Sequence, residues 1–362
     1  MNQKLKEQEQ GVEWYCSEKI HGCNLSFIVD KLKDSNYRVE VANRSTILSQ
    51  SSVSFYPKTI EELQNKFGAG SIQLFQRIQD SLPQWIESDL GGELNVQDHS
   101  TLKSVQIYGE LFGGSFPNKK PSDAKAIQNG IHYCPHHDFY AFDVLMTFES
   151  GKQVWALFNN IDSLLDECGF KVRAQQLFKG SLEECLEYDV KFNTKLPETF
   201  YPEIVTERNA SWKDLDNICE GVVIKPTNCN IFVETERAVI KKKNEKFLET
   251  EANDKPQPVK KEKGDSDELV QVWNELSRYI TTNRLDNVLS KIGNLTKSNM
   301  FPVMKEFSND ALEEFKLDLE RGALENCKPV SSLSSDDQKK ITKKVNDACM
   351  VIIKDQLNKP SE

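Results

Sequence analysis

The chain has 362 residues, 28% of them charged and 38% hydrophobic, and a formal net charge of -10. That length suits two domains, and the acidic balance excludes a protein that holds nucleic acid through a uniformly basic surface, leaving only a local basic groove. Nine cysteines without a Cys-x-x-Cys pair, a polar start and no apolar run of membrane-spanning length point to reduced thiols in an intracellular protein, with the cytoplasm expected and the nucleus or an organelle compatible.

In chain order, residues 12–30 and 37–48 read as strands, the second alternating through Tyr37, Val39 and Val41 after a turn near Asp34. Residues 58–90 read as helical, with Ile60, Leu63 and Phe67, then Ile72, Phe75, Ile78 and Leu82, at helical spacing and a break at Gly68-Ala69-Gly70. Strands return at 105–112, 138–147, 152–157, 221–225 and 237–243, with helices near 158–178 and 181–188 between them. This mixture is an α+β pattern, antiparallel sheets flanked by helices. Residues 249–266 are polar, hold two prolines and read as a linker. Beyond it the period is helical. Leu269, Trp273, Leu276 and Ile280 share a face behind a Ser266 N-cap, and residues 287–292 continue to a stop at Gly293. Residues 309–321 and 335–357 are two further amphipathic helices, the last aligning Ile341, Val345, Ala348 and Ile352. The expected organisation is a first domain over 1–248, a linker over 249–266 and a small all-α domain over 267–362.

Chemistry gathers in a few short blocks: Glu18-Lys19-Ile20-His21-Gly22-Cys23-Asn24, then Tyr108-Gly109-Glu110, Phe142-Asp143, Glu220-Gly221-Val222-Val223-Ile224-Lys225 and Ile240-Lys241-Lys242-Lys243. A lysine attacks only when deprotonated, and neighbouring cations or burial favour that state. On a strand Lys241 and Lys243 point to one face and Lys242 away, an arrangement that suits an anion such as a triphosphate between them. In isolation the pair reads as a solvated surface strand. Glu220 is expected to share a face with Val222 and Ile224, where a carboxylate can hold a divalent metal. Glu110, among glycines, can accept from a ribose hydroxyl, although alone it is an ordinary acidic turn residue. Phe142 is expected on one face with Tyr140 and Val144, as core or as a platform for a purine. Arg44 can hold a phosphate or face water. His132, Cys134, His136 and His137 crowd three of the five histidines together. Zinc sites draw on a second ligand pair, which is not visible here, so no zinc is expected.

As an ordered set these blocks resemble the motifs of the covalent nucleotidyltransferases: ATP-dependent DNA ligases, RNA ligases and mRNA capping enzymes. They are most similar to the RNA ligase 2 family, with the phage double-strand RNA ligase and the RNA-editing ligases. Glu18-Lys19-Ile20-His21-Gly22 carries that choice, since DNA ligases usually have Asp where His21 stands. Thr282-Asn283-Arg284 and residues 287–293 look like the family's own helical domain. The resemblance implies an adenylyltransferase (ATP-grasp-like ligase) fold and an ATP-dependent RNA ligase that uses Mg²⁺ or Mn²⁺ and forms a covalent AMP on Lys19. Its substrate would be a nicked RNA duplex with a 3′-hydroxyl and 5′-phosphate. Lys19, His21, Glu220, Lys241 and Lys243 would be catalytic, with Glu220 near the metal. Glu18, Ile20, Asn24, Arg44, Glu110, Phe142 and Lys225 would bind the nucleotide, and Asp143 would serve the RNA steps. A monomer is expected, with recruiting proteins as partners and no membrane. Only a polar stretch precedes Val12, shorter than the family's usual lead, so closure of the nucleotide pocket is expected to differ. The alternatives are a non-catalytic RNA- or nucleotide-binding relative, and a DNA ligase or capping enzyme. The latter two normally place an OB-fold after the lysine pair, where this chain has helical spacing.

Overall fold

The computed structural model describes residues 11–34, 36–44, 47–48, 57–88, 101–128, 130–210, 217–233, 236–247, 265–292, 295–320, 324 and 327–358. The chain divides into two compact units, Met1–Asn244 and Glu245–Glu362. Most of the stretch read as a linker, the residues up to 264, lies outside the described residues, as do Gly293 and the polar stretch over 1–10.

The first unit is built on two antiparallel sheets and a two-stranded ribbon of β10 (Phe232–Val233) and β11 (Glu236–Arg237), an α+β arrangement. Strands β1 (Trp14–Lys19), β8 (Phe178–Gly180), β9 (Gly221–Pro226) and β12 (Ile240–Lys243) form one, in the order β12-β9-β1-β8. Strands β2 (Cys23–Lys31), β3 (Tyr37–Ala42), β4 (Ile47–Leu48), β5 (Leu102–Gly113), β6 (His137–Phe148) and β7 (Gln153–Trp155) form the other, in the order β4-β3-β2-β5-β6-β7. Residues 12–30, expected as a single strand, are therefore two strands in two sheets. Gly22 makes the switch possible. A Cβ there would lie 2.4 Å from Leu111 O, so only glycine lets this turn press against β5.

Helix α1 (Pro57–Ser88) packs on the six-stranded sheet. It runs unbroken through Gly68 and Gly70, where a break was expected, because its apolar face is continuous. Leu63, Phe67, Leu74, Phe75, Ile78 and Leu82 all enter the core. Each such buried side chain contributes roughly 1.5–3 kcal/mol, which outweighs about 1 kcal/mol per helical glycine. Phe27, Ile107, Phe139, Ala141, Val144 and Met146 meet it from the sheet. Helix α2 (Phe158–Glu167) is shorter than the 158–178 expected, since Cys168 and Gly169, with φ +89° at the glycine, end it. Three short helices follow, α3 (Leu182–Glu187), α4 (Leu196–Phe200) and α5 (Pro202–Glu207), the last two missed for want of a full apolar period. The small core behind β1 gathers Trp14, Cys16, Leu182, Cys185, Val222 and Ile224.

The second unit is helical: α6 (Asp267–Leu276), α7 (Thr282–Ile292), α8 (Met300–Glu320) and α9 (Ser335–Asn358). The Ser266 hydroxyl accepts from Leu269 N at 3.0 Å, capping α6. In α9 the buried apolar residues are Ile341, Val345, Cys349 and Ile353, so the last two turns point one residue later than Ala348 and Ile352. Arg284 is buried and held by Tyr279 O at 2.9 Å and Asp310 Oδ2 at 2.6 Å. All nine cysteines are free thiols.

Candidate active site

Strand pairing places the nucleophile candidate. Lys19 stands opposite Gly221, and Gly221 opposite Lys243; the next row is Ser17, Val223 and Lys241, and Tyr15 pairs with Lys225. Residues of one parity face the core of Trp14, Cys16, Val222 and Ile224. The other parity brings Lys19, Lys225, Lys241 and Lys243 onto one face, which is the period-two rule at work. Lys242 points away, its ammonium donating to Leu186 O and Tyr188 O at 2.7 Å each.

Glu220 breaks the parity expected of it. Gly221 has φ +147°, and a Cβ there would lie 2.1 Å from Lys242 O. That glycine-only conformation turns Glu220 away from Val222 and Ile224 and onto the lysine face. Its Oε2 lies 2.7 Å from Lys19 Nζ and 3.6 Å from His21 Nδ1, and its Oε1 lies 3.5 Å from Lys243 Nζ. The contact with Lys19 is ionic rather than a hydrogen bond of good geometry, since Oε2 is buried without a hydrogen-bond partner. Burial pushes the carboxyl up, but Lys19, His21 and Lys243 outweigh it and hold the pKa at about 2.

The six-stranded sheet supplies the opposite wall. Asn24, Glu110 and Tyr140 pair across β2, β5 and β6. Burial raises the Glu110 carboxyl to about 7 against the pull of Lys19, and its Oε2 is buried without a hydrogen-bond partner. A hydroxyl donor from a ligand would satisfy that atom. Phe142 does not share a face with Val144 as expected. Tyr108 pairs with Asp143 and Gly109 with Ala141, which leaves Phe142 as the extra residue of a bulge. Ala141 and Val144 both enter the core, while Phe142 and Asp143 turn together toward Lys225.

Lys225 Nζ donates to Asp143 Oδ2 at 2.8 Å and to Phe142 O at 3.0 Å, and sits 5.4 Å from the Phe142 ring centroid. Arg237 Nη1 reaches the same Oδ2 at 2.8 Å, with its guanidinium 4.8 Å over Trp155. Burial pushes the Asp143 carboxyl up, but the two cations hold it below the ordinary range. Burial also pulls the Lys225 ammonium down, more than Asp143 raises it. Sequence reading missed Arg237. Its parity matches Lys241 and Lys243 within the run read as one strand over 237–243, and that was the available signal. Lys241 is exposed at the edge of the face, and partial desolvation with the cations Lys19, Arg44 and Lys243 lowers its pKa.

The remaining expected residues divide. Asn24 is half-buried on the site wall, and Arg44 is exposed but close enough to act on Glu110 and Lys241. Ile20 is buried in the turn after Lys19. Glu18 has the opposite parity to Lys19. Its Oε2 accepts from Lys195 N at 3.1 Å, and burial raises its carboxyl to about 7. The His132–His137 cluster does not converge. The His132 ring bonds Ser115 Oγ at 2.9 Å, His137 bonds Thr59 Oγ1 at 2.7 Å and Lys125 O at 2.6 Å, and Cys134 Sγ reaches His136 O at 3.0 Å. Among the described residues no group of three or more His, Cys, Asp or Glu could hold a metal. Glu220 is a single carboxylate, so the donor set fits Mg²⁺ or Mn²⁺ only if nucleotide phosphates and water fill most of the coordination shell.

A row of lysines on one strand face paired with one buried carboxylate, facing an unsatisfied carboxylate and an aromatic ring, is the equipment of a nucleotidyltransferase-type ligase. The RNA ligase family model matches residues 12–243, and the model described as T4 RNA ligase 2 C-terminal matches residues 263–351. The chain belongs to the RNA ligase family, in its RNA ligase 2 branch. It is 25% identical to the mitochondrial RNA-editing ligase 2 of Trypanosoma brucei brucei, over 85% of this chain and 78% of that protein. Among solved structures it is similar to a Naegleria gruberi RNA ligase mutant with ATP and Mn (15% identity, TM-score 0.36, 68% of this chain) and an archaeal ATP-dependent RNA ligase (13%, TM-score 0.34, 98% of this chain). The chain spans 55% and 62% of those two solved chains. No helix among the described residues is long and apolar enough to cross a membrane.

Proposed function

We propose that this chain seals 3′-hydroxyl/5′-phosphate nicks in duplex RNA, using ATP and a divalent metal, through an AMP carried on Lys19. The observation that carries the reading is the placement of Lys19 Nζ 2.7 Å from Glu220 on a face shared with Lys225, Lys241 and Lys243. In the first step the Lys19 amine attacks the α-phosphorus of ATP, a phosphoramidate forms and pyrophosphate leaves. Next a 5′-phosphate oxygen of the RNA attacks that phosphorus and the Lys19 amine leaves. Finally the 3′-hydroxyl attacks the adenylylated 5′-phosphate and AMP leaves.

Glu220, with its pKa held at about 2, is a poor base, so its work is to aim Lys19 and balance the charge around it. Lys241 and Lys243 hold phosphate oxygens, and the Glu110 Oε2 accepts from a ribose hydroxyl. Phe142 offers its ring to the adenine, backed by Lys225 on Asp143. The metal, when bound, neutralises phosphate charge, with Glu220 as its protein ligand. Asp143 serves the steps on RNA, and His21, its Nδ1 3.6 Å from Glu220 Oε2, supports that carboxylate beside Lys19. The domain over 1–248 performs nucleotide transfer, and the residues over 267–362 form its helical companion domain. The protein acts as a monomer. A net charge of -10 gives weak general attraction to RNA, so recruiting proteins raise its nick affinity, and equal affinity with and without them would refute that clause.

Intact-mass measurement after incubation with ATP and Mg²⁺, wild type beside Lys19→Ala, tests the core of the proposal. A gain of one AMP on the wild type alone is expected. No gain, after pyrophosphate has stripped any AMP already attached, overturns it in favour of a non-catalytic binding role.

A further inference from the structure

The segment between β5 and β6 holds histidines that the reaction does not use, and its polar groups bind two parts of the site to each other. The Tyr133 hydroxyl accepts the backbone N–H of His21 at 2.9 Å, and Tyr133 is 2% exposed. Its neighbour His132 makes a reciprocal pair with Asn217: His132 N–H donates to Oδ1 at 2.7 Å, and Nδ2 donates to His132 O at 2.9 Å. Asn217 is 1% exposed and stands three residues before Glu220. It is fixed in turn by Thr194 N–H, which donates to its backbone O at 2.9 Å. At the far end, His21 Nδ1 lies 3.6 Å from Glu220 Oε2.

These contacts close a ring that runs from His21 through Tyr133, His132 and Asn217 to Glu220 and back. Its longest link is the one between His21 and Glu220. The shorter, buried links on the other side therefore set that separation, since buried hydrogen bonds cost about 1–3 kcal/mol to leave unmade. We infer that Tyr133 and Asn217 are positioning residues, which fix His21 against Glu220 through a brace built from the histidine-rich segment. The inference rests on the proposed reaction at Lys19 for its kinetic readout. Neither residue touches the reacting atoms, and their effect passes through His21 and Glu220.

The test uses the full chain with Tyr133→Phe and Asn217→Ser, each alone and combined with His21→Ala. Tyr133→Phe keeps the ring, which packs edge-on to Phe112 at 5.4 Å, and removes only the hydroxyl. Each single variant should slow AMP loading of Lys19 about tenfold while the KM for ATP stays within about twofold. In the His21→Ala background each should cost less than about twofold more, because the link being positioned is already gone. Losses that multiply in the double variants, or a wild-type rate in Tyr133→Phe, overturn the brace. A second readout is independent of turnover: the His21 ring proton resonances in the ligand-free protein should move in both single variants while those of the outer His136 stay. If the wild type takes up no AMP, the proposed reaction fails, and the resonances alone decide: movement supports the brace and an unmoved His21 refutes it.

Discussion

Gly221→Ala is the substitution from which the geometry predicts most. The residue joins three strands in one row, between Lys19 and Lys243, and its φ of +147° lies where side chains are strained. Holding a non-glycine residue there costs about 1–3 kcal/mol. The added Cβ would also lie 2.1 Å from Lys242 O and 2.8 Å from Lys243 Cα. An ordinary carbon–oxygen contact is about 3.3 Å, so β12 must retreat by about 1 Å. Overpacking of that kind adds about 1–3 kcal/mol, for a total loss of stability of about 2–6 kcal/mol. The retreat carries Lys243 away from Glu220, and a misplacement of 1 Å at a reacting centre costs on the order of 100-fold in rate. Urea unfolding gives the first number and time-resolved intact mass of the Lys19 adduct gives the second. Gly68→Ala is the control: it sits in α1 with nothing within 4 Å and should stabilise by about 0.5–1 kcal/mol. If Gly221→Ala unfolds within about 0.5 kcal/mol of wild type and loads AMP at the wild-type rate, the account of how Glu220 is aimed is wrong.

Lys241→Ala and Lys243→Ala should each slow loading of Lys19 by more than about tenfold, roughly 1.4 kcal/mol or more, and wild-type rates in both would remove the phosphate-holding assignment. Asp143→Asn leaves Lys225 and Arg237 buried around a neutral group, and should lower stability by about 3–5 kcal/mol in a melt at neutral pH. Restored stability in the Asp143→Asn, Arg237→Met pair would attribute the loss to charge, whereas further loss would point to packing. Burial lifts Glu18 from 4.5 to about 7, so its contribution to stability is whole below pH 4.5 and is lost as pH rises toward 7, about 3 kcal/mol at most. Glu18→Gln should therefore flatten the fall in stability between pH 5 and pH 8, and an unchanged slope would count against it. Glu220 carries the opposite sign: despite burial it is held from 4.5 to about 2, so its contribution is present above pH 4.5 and lost as pH falls toward 2.

The lysine face was legible because a strand has a period of two, so Lys241 and Lys243 had to agree and Lys242 had to differ. The α+β character was legible for the same reason, as were the helical period after residue 267 and the Ser266 cap. What failed was every place where one residue steps outside the period. Glu220 was put on the wrong face because nothing in a run of letters says that Gly221 takes φ +147°. Phe142 was aligned with Val144 because a bulge adds a residue without changing composition. The split of residues 12–30 into two sheets depends on Gly22 meeting Leu111, a contact between strands distant in sequence. Arg237 and Tyr133 escaped because each acts through a partner that pattern reading cannot see: Asp143 for one and the backbone of His21 for the other.

The bulge at Phe142 also bears on how such a site tolerates change. Along a regular strand, neighbours are divided between two environments, and a chain must choose whether an aromatic or its adjacent acid reaches the ligand. One extra residue in β6 lifts that choice, so the sequence neighbours Phe142 and Asp143 lie on the same side while Ala141 and Val144 stay in the interior. The strand has in effect two reading frames that meet at residue 142. A single-residue deletion there would restore the plain period of two and leave both halves of β6 on their present faces, so this position should accept a gap more readily than the regular stretches on either side of it, at the cost of the ring.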